Sequence, residues 1–219
     1  TKLASDIKKH DSLPIAQLYH GGMRCPKDVI GTQPVSSSDN QKWGARAMTT
    51  SEVETMIVAF IEAAVRAENA GFDGVELHGA HGYVLAQFLS PELNQRSDRF
   101  GGSLKARQRP ILEIIEGIRR NCNSEFMVGV RLSPERFGME LSEIINLAGL
   151  LMKEQLIEFL DLSLWDVFKN AEDERHQMQP LLSLFTELDR KNVRLGVAGK
   201  IMSSVDIEKA FKLGVDWVM

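Results

Sequence analysis

The short runs that read as strands carry apolar residues on alternate positions only, and this restricts the fold more than any other feature of the sequence. In Gly74–His78, Val75 and Leu77 point one way while Glu76 and His78 point the other. Val128 and Val130 oppose Gly129 and Arg131 in Met127–Ser133, and Leu160, Leu162 and Leu164 oppose Asp161 and Ser163 in Glu158–Leu164. In Ile15–Tyr19, Ala16 and Leu18 oppose Gln17. Successive side chains of a strand project to opposite faces. Each strand therefore offers one face to packing helices and a second, with small or polar groups, near its carboxyl end. A flat sheet buried between two helix layers wants both faces apolar. A barrel whose upper lumen is a polar site fits the pattern.

Two more runs, Arg194–Gly199 and one opening at Val215, bring the visible strands to six. Helical spacing links them: Val53, Met56, Ile57, Phe60, Ile61 and Ala64; then Ile111, Ile114, Ile115 and Ile118; then Leu141, Ile144, Ile145, Ala148 and Leu151. Thr49 with Glu52 forms a capping box, Ser103 and Ser203 stand as N-caps, and Leu3–Lys9 reads as the end of another helix. Ala70–Val75 and Leu213–Val218 repeat one pattern of helix end, Gly, apolar residue, Asp and strand, with Gly71 and Gly214 as left-handed helix terminators. The expected fold class is α/β, a (β/α)8 TIM barrel, of which roughly strand three to the start of strand eight is visible; such barrels have eight strands over roughly 250 residues. No linker or low-complexity segment divides the chain. Residues 1–219 read as one domain, truncated at both ends.

Composition narrows the class of partner. A net charge of −4 with scattered basic residues argues against nucleic acid or an anionic membrane surface. No apolar run approaches a membrane span, and no G-x-G-x-x-G follows an early strand. Two cysteines, Cys25 and Cys122, form no spacing motif, so a reducing cytoplasm is the expected compartment. A homo-oligomer stays open.

The densest chemistry runs from His78 through Gly79-Ala80 to His81-Gly82-Tyr83, at the carboxyl end of a strand, where barrel enzymes place catalysis. Two imidazoles can donate hydrogen bonds to an oxyanion or carbonyl. A tyrosine, protonated at neutral pH, can deliver a proton. The same His-x-x-His suits a metal, with Glu76 and Asp161 as further ligands, or each His could be a hydrogen-bonded turn residue.

The run from Gly71 to Arg120, including His78–Tyr83, Gln87–Pro91 and Asn94–Ser103, resembles the signature region of the Old Yellow Enzyme or NADH:flavin oxidoreductase family. Ala16–Gly22 is similar to its third-strand motif, Val130–Ser133 to its fifth, and Ala198–Ile201 through Asp216 to its seventh strand and following helix. The resemblance implies FMN across the top of the barrel and NADPH or NADH as reductant. It implies that Gln17 bonds the pyrimidine edge of the flavin and that Arg131 stabilises charge near its N1 and C2 oxygen. Gly199, with Lys200 beside it, would serve the phosphate. His78 and His81 would hold the carbonyl of a small electron-poor alkene, such as an enone, and Tyr83 would protonate it.

Met23 departs from the family, standing where many relatives carry Arg, with Arg24 next along. Residues 20–48 form a long connection of the length seen in lids and binding loops, and Trp43 within it, like Trp165 past the sixth strand, reads either as a cover or as surface packing. Arg96–Ser103 reads as structural: Gly101-Gly102 turns the chain while Asp98 and the arginines fix the loop. Two rival readings accompany the ene-reductase: a metal-dependent barrel hydrolase or aldolase on the His pair, and a truncated barrel without turnover.

Overall fold

Strand order decides between barrel and open sheet in the computed structural model, which describes residues 1–219. The strands are β1 (Ile15–Leu18), β2 (Val35–Ser36), β3 (Arg46–Ala47), β4 (Gly74–Gly79), β5 (Met127–Leu132), β6 (Phe159–Ser163), β7 (Arg194–Ala198) and β8 (Trp217–Val218). The helices are α1 (Lys2–Lys8), α2 (Lys27–Ile30), α3 (Thr50–Asn69), α4 (Val84–Leu89), α5 (Leu104–Arg107), α6 (Arg109–Asn121), α7 (Leu141–Lys153), α8 (Ser183–Thr186) and α9 (Ser204–Lys212). Six strands form one parallel sheet in the order β1-β4-β5-β6-β7-β8. The order never reverses. A doubly wound sheet reverses at a switch point, whereas right-handed crossovers that always step the same way keep the helices on one side. The sheet is the wall of a (β/α) barrel.

Burial follows the alternation. Val75, Leu77, Val128, Val130, Leu160, Leu162, Leu195 and Val197 are fully buried on the helix side. The opposite positions fall into two rows across the register. One runs Gln17, Glu76, Gly129, Phe159; the next runs His78, Arg131, Asp161, Gly196. The rings of Phe159 and Trp217 meet edge to face in the lumen, with centroids 5.9 Å apart.

Local signals explain the element ends. Thr49 and Glu52 form the reciprocal capping box of α3, Ser103 caps α5, and Ser203 caps α9. Gly71 and Gly214 hold φ of +89° and +97°, which a residue with a Cβ adopts at a cost. On α7 the buried stripe takes Leu147, while Ile145 is only half-buried at its edge. The long connection after β1 is largely structured: it contains α2, two 3-10 turns and the parallel pair β2–β3.

Candidate active site

The turn after β4 gathers the three residues that the sequence singles out. His81 and Gly82 both take left-handed backbone, with φ of +57° and +69°, which reverses the chain over the end of the strand. Ser133, just past β5, steadies the turn by accepting the His81 N–H at 3.2 Å. The rings of His78 and His81 stand 4.9 Å apart at 72°, with His78 Nε2 and His81 Nδ1 separated by 3.1 Å. The ring of Tyr83 lies 5.1 Å from His78 and 5.5 Å from Tyr19. The three side chains therefore form one cluster.

Its electrostatics favour neutral imidazoles. Burial, then the neighbouring His81 and Arg131, pull the His78 pKa down to about 4. Burial, Arg131 and Arg24 lower that of His81, with Glu76 opposing. Both rings are therefore uncharged at neutral pH and act as hydrogen-bond groups.

Beneath the cluster, the lumen holds a row of polar groups. Arg131 Nε donates to Ser163 Oγ at 2.8 Å. The amide of Gln17 donates to Glu76. Burial and the adjacent Glu76 raise Asp161 well above the ordinary carboxylate range, with Arg131 opposing. His78 Nδ1, Glu76 Oε1 and Asp161 Oδ1 are buried without a partner.

A cavity of about 480 Å³ opens above β5, β6 and β7, walled by His81, Arg131, Ser133, Phe137, Trp165 and Gly199. That size suits a cofactor or small ligand. Gly199 has φ of +149°, and a Cβ there would come within 2.9 Å of the Trp165 backbone. Gln17 stands apart: it is exposed on β1 and borders a groove beside that strand and the opposite mouth of the lumen. Lys200 is exposed, with Nζ 3.5 Å from Asp166. The His pair has no third ligand in place, since nowhere do three His, Cys, Asp or Glu side chains converge in a way that could hold a metal ion. No helix is long and apolar enough to cross a membrane.

Comparison with known proteins agrees with this fold. The model of the NADH:flavin oxidoreductase / NADH oxidase family matches residues 1–209. The chain belongs to that family. Bacillus subtilis YqiG, named "Probable NADH-dependent flavin oxidoreductase", is 37% identical across 99% of the chain and 61% of its own length. An NADPH dehydrogenase of Clostridium acetobutylicum is 36% identical over 74% of the chain and 49% of its own length. Among solved structures, morphinone reductase in complex with tetrahydroNAD superposes with a TM-score of 0.81 at 25% identity, over 99% of this chain and 63% of that one. The old yellow enzyme homologue from Zymomonas mobilis gives 0.82 at 25%, over 99% and 64%. The chain thus spans less than two thirds of each of these relatives.

Within this flavin oxidoreductase fold, one supporting residue escapes a reading of the sequence. Gln87, on α4, is fully buried and uses all four of its hydrogen-bonding positions. Its Oε1 accepts from Met23 N–H at 3.2 Å and Ser36 Oγ at 2.9 Å, and its Nε2 donates to the carbonyls of Gly82 at 2.8 Å and Gly21 at 3.4 Å. It fastens the loop after β1 to the His81–Tyr83 turn. A lone amide inside the apolar stretch Val84–Leu89 is the signal that marks it. Around it, Arg96 donates to the carbonyls of Ser37 and Met48 and pairs with Asp98, so the segment Arg96–Ser103 is structural as its composition implies.

Proposed function

We propose that this chain carries the catalytic surface of an FMN-dependent reductase that takes hydride from NADH or NADPH and delivers it to small electron-poor alkenes of the enone type. The observation that carries the reading is the neutral His78–His81–Tyr83 cluster beside a cavity floored by Arg131. The donor set suits FMN. Of the cations that face the cavity, Lys169 is held by Glu135 and Glu172, and Arg136 lies 3.9 Å from Glu172. Arg131 faces it with no carboxylate in a salt bridge, its Nε bonded to Ser163. That unpaired charge favours an anionic ligand.

FMN, when bound, would supply the hydride chemistry that links the nicotinamide to the β-carbon of the alkene. The residues supply the rest. His78 and His81 donate to the carbonyl oxygen and draw electron density from the double bond. Tyr83 delivers a proton to the α-carbon, a step typically worth roughly 10²–10⁴ in rate. Arg131 is the cation suited to negative charge at the pyrimidine edge of the ring, Gln17 is assigned a hydrogen bond to that edge, and Gly199 with Lys200 the phosphate.

The test is the visible spectrum of the full-length protein without oxygen. A flavin band that bleaches with NADH or NADPH and returns with cyclohexenone is the expected result. A colourless protein that FMN does not reconstitute would overturn the reading.

A further inference from the structure

Arg24 is a cation held in place with nothing to bind. It closes the 3-10 turn Gly22–Arg24, and its guanidinium sits between two aromatic rings, 5.4 Å from the centre of Trp43 and 5.3 Å from that of Phe137. Its Nε is buried without a hydrogen-bond partner. No carboxylate of the chain pairs with it. Aromatic faces attract the charge of a guanidinium but do not satisfy the N–H donors in its plane.

The position of this cation is specific. A Cβ on Gly82 would stand 3.3 Å from Arg24 Nε and 3.1 Å from the Phe137 ring, so Arg24 lies against the middle of the His81-Gly82-Tyr83 turn. Phe137 in turn walls the cavity that His81 and Arg131 share. A planar guanidinium held against two rings is pre-organised for a flat or tetrahedral anion, because little side-chain entropy is lost when the anion binds. The chain offers none.

We propose that Arg24 recognises an anionic group on the ligand engaged by His78, His81 and Tyr83: a carboxylate on the alkene, or a phosphate on the nicotinamide nucleotide that reduces the same site. The assignment rests on the reductase reading above and adds the ligand class to it. It makes carboxylated enones better ligands than their esters.

Calorimetric titration of the oxidised, full-length protein with levulinate and with its methyl ester reads the carboxylate directly and needs no turnover. Levulinate is expected to bind at least about tenfold more tightly than the ester, as one charge-assisted pair warrants. Arg24→Met is expected to bring the ratio close to one, and Arg24→Lys, which keeps the charge but not the fork, to an intermediate value. A second arm titrates NADH and NADPH. Weakening of nucleotide binding in Arg24→Met, with the levulinate ratio unchanged, would assign the anion to the phosphate. If neither ratio nor nucleotide affinity moves in a folded Arg24→Met protein, the anion site is wrong. That outcome is distinct from failure of the reductase reading, in which even the unmodified protein neither bleaches with nucleotide nor recovers its colour with cyclohexenone.

Discussion

His78 Nε2 and His81 Nδ1 lie 3.1 Å apart, so the two imidazoles hydrogen-bond to each other at the carboxyl end of β4. One ring donates and the other accepts, and His78 Nδ1 is left buried and unpaired. A carbonyl oxygen that takes donors from both rings must replace this mutual bond. The two residues then act as a unit, and effects of residues that act as a unit do not add. His78→Ala and His81→Ala are each expected to lower kcat/KM for an enone on the order of 10²-fold, in line with loss of one oxyanion donor. The double variant should fall little further. Steady-state kinetics on the three variants checks this; a product of the two single effects would show that the rings work independently.

Tyr83 contributes a proton rather than a binding contact to the proposed reaction. Tyr83→Phe keeps the ring that packs on His78 and Tyr19 but loses the acid. Reoxidation by an enone is expected to slow by roughly 10²–10⁴. Stopped-flow measurement of the two half-reactions should find a much smaller change in bleaching by nucleotide. Equal slowing of both would point to a packing role.

The acid limb of stability should carry the signature of His78. Its folded pKa is about 4, against 6.5 for an unperturbed ring. Between these values the unfolded chain binds more protons than the folded one, so folding weakens as pH falls from about 6.5 through about 4. His78→Asn removes the titrating group. Denaturant titrations at a series of pH values should show a shallower loss in the variant, and an unchanged slope would mean that burial does not hold the ring neutral.

Asp161 predicts the opposite limb. Burial and the neighbouring Glu76 raise its pKa above the ordinary carboxylate range. The folded state therefore holds the proton more tightly than the unfolded state. The stability this contributes is present in acid and lost as pH rises through the raised value. Asp161→Asn mimics the protonated group and should flatten that loss. Melting temperatures of parent and variant should diverge in the variant's favour as pH rises; convergence would mean that Asp161 is already ionised in acid.

Much of this is legible in the residues alone. The strand limits agree to within one or two residues for β1, β4, β5, β6 and β7, because alternation and the helical stripes between them report burial directly. His78, His81 and Tyr83 were legible because they share one strand end and one turn. The pair β2–β3 was not, since each strand is two residues long and is set by packing rather than pattern. The turning of Gln17 toward Glu76 was equally hidden, because the partner lies on a neighbouring strand 59 positions away. The stacking of Arg24 depends on Phe137, which a reading of local spacing does not bring near it.

Gln87 tests how far the site depends on its support. Replacement by Met keeps the length of the side chain and removes all four hydrogen bonds. The carbonyl of Gly82, the N–H of Met23 and the hydroxyl of Ser36 would lose their partner inside a region without exposure at Gln87, while the Gly21 carbonyl keeps the N–H of Arg24. Unsatisfied buried groups cost about 1–3 kcal/mol each, and relaxation of the loop recovers part of the sum. A loss of about 2–4 kcal/mol in urea unfolding is therefore expected. Gln87→Glu restores the acceptor but removes both donors and buries a charge, so it should destabilise at least as much as Met at neutral pH and recover as the carboxylate is protonated. If Gln87→Met unfolds at the parent's urea midpoint, the loop after β1 and the His81–Tyr83 turn are held by other contacts, and the amide is not the fastening between them.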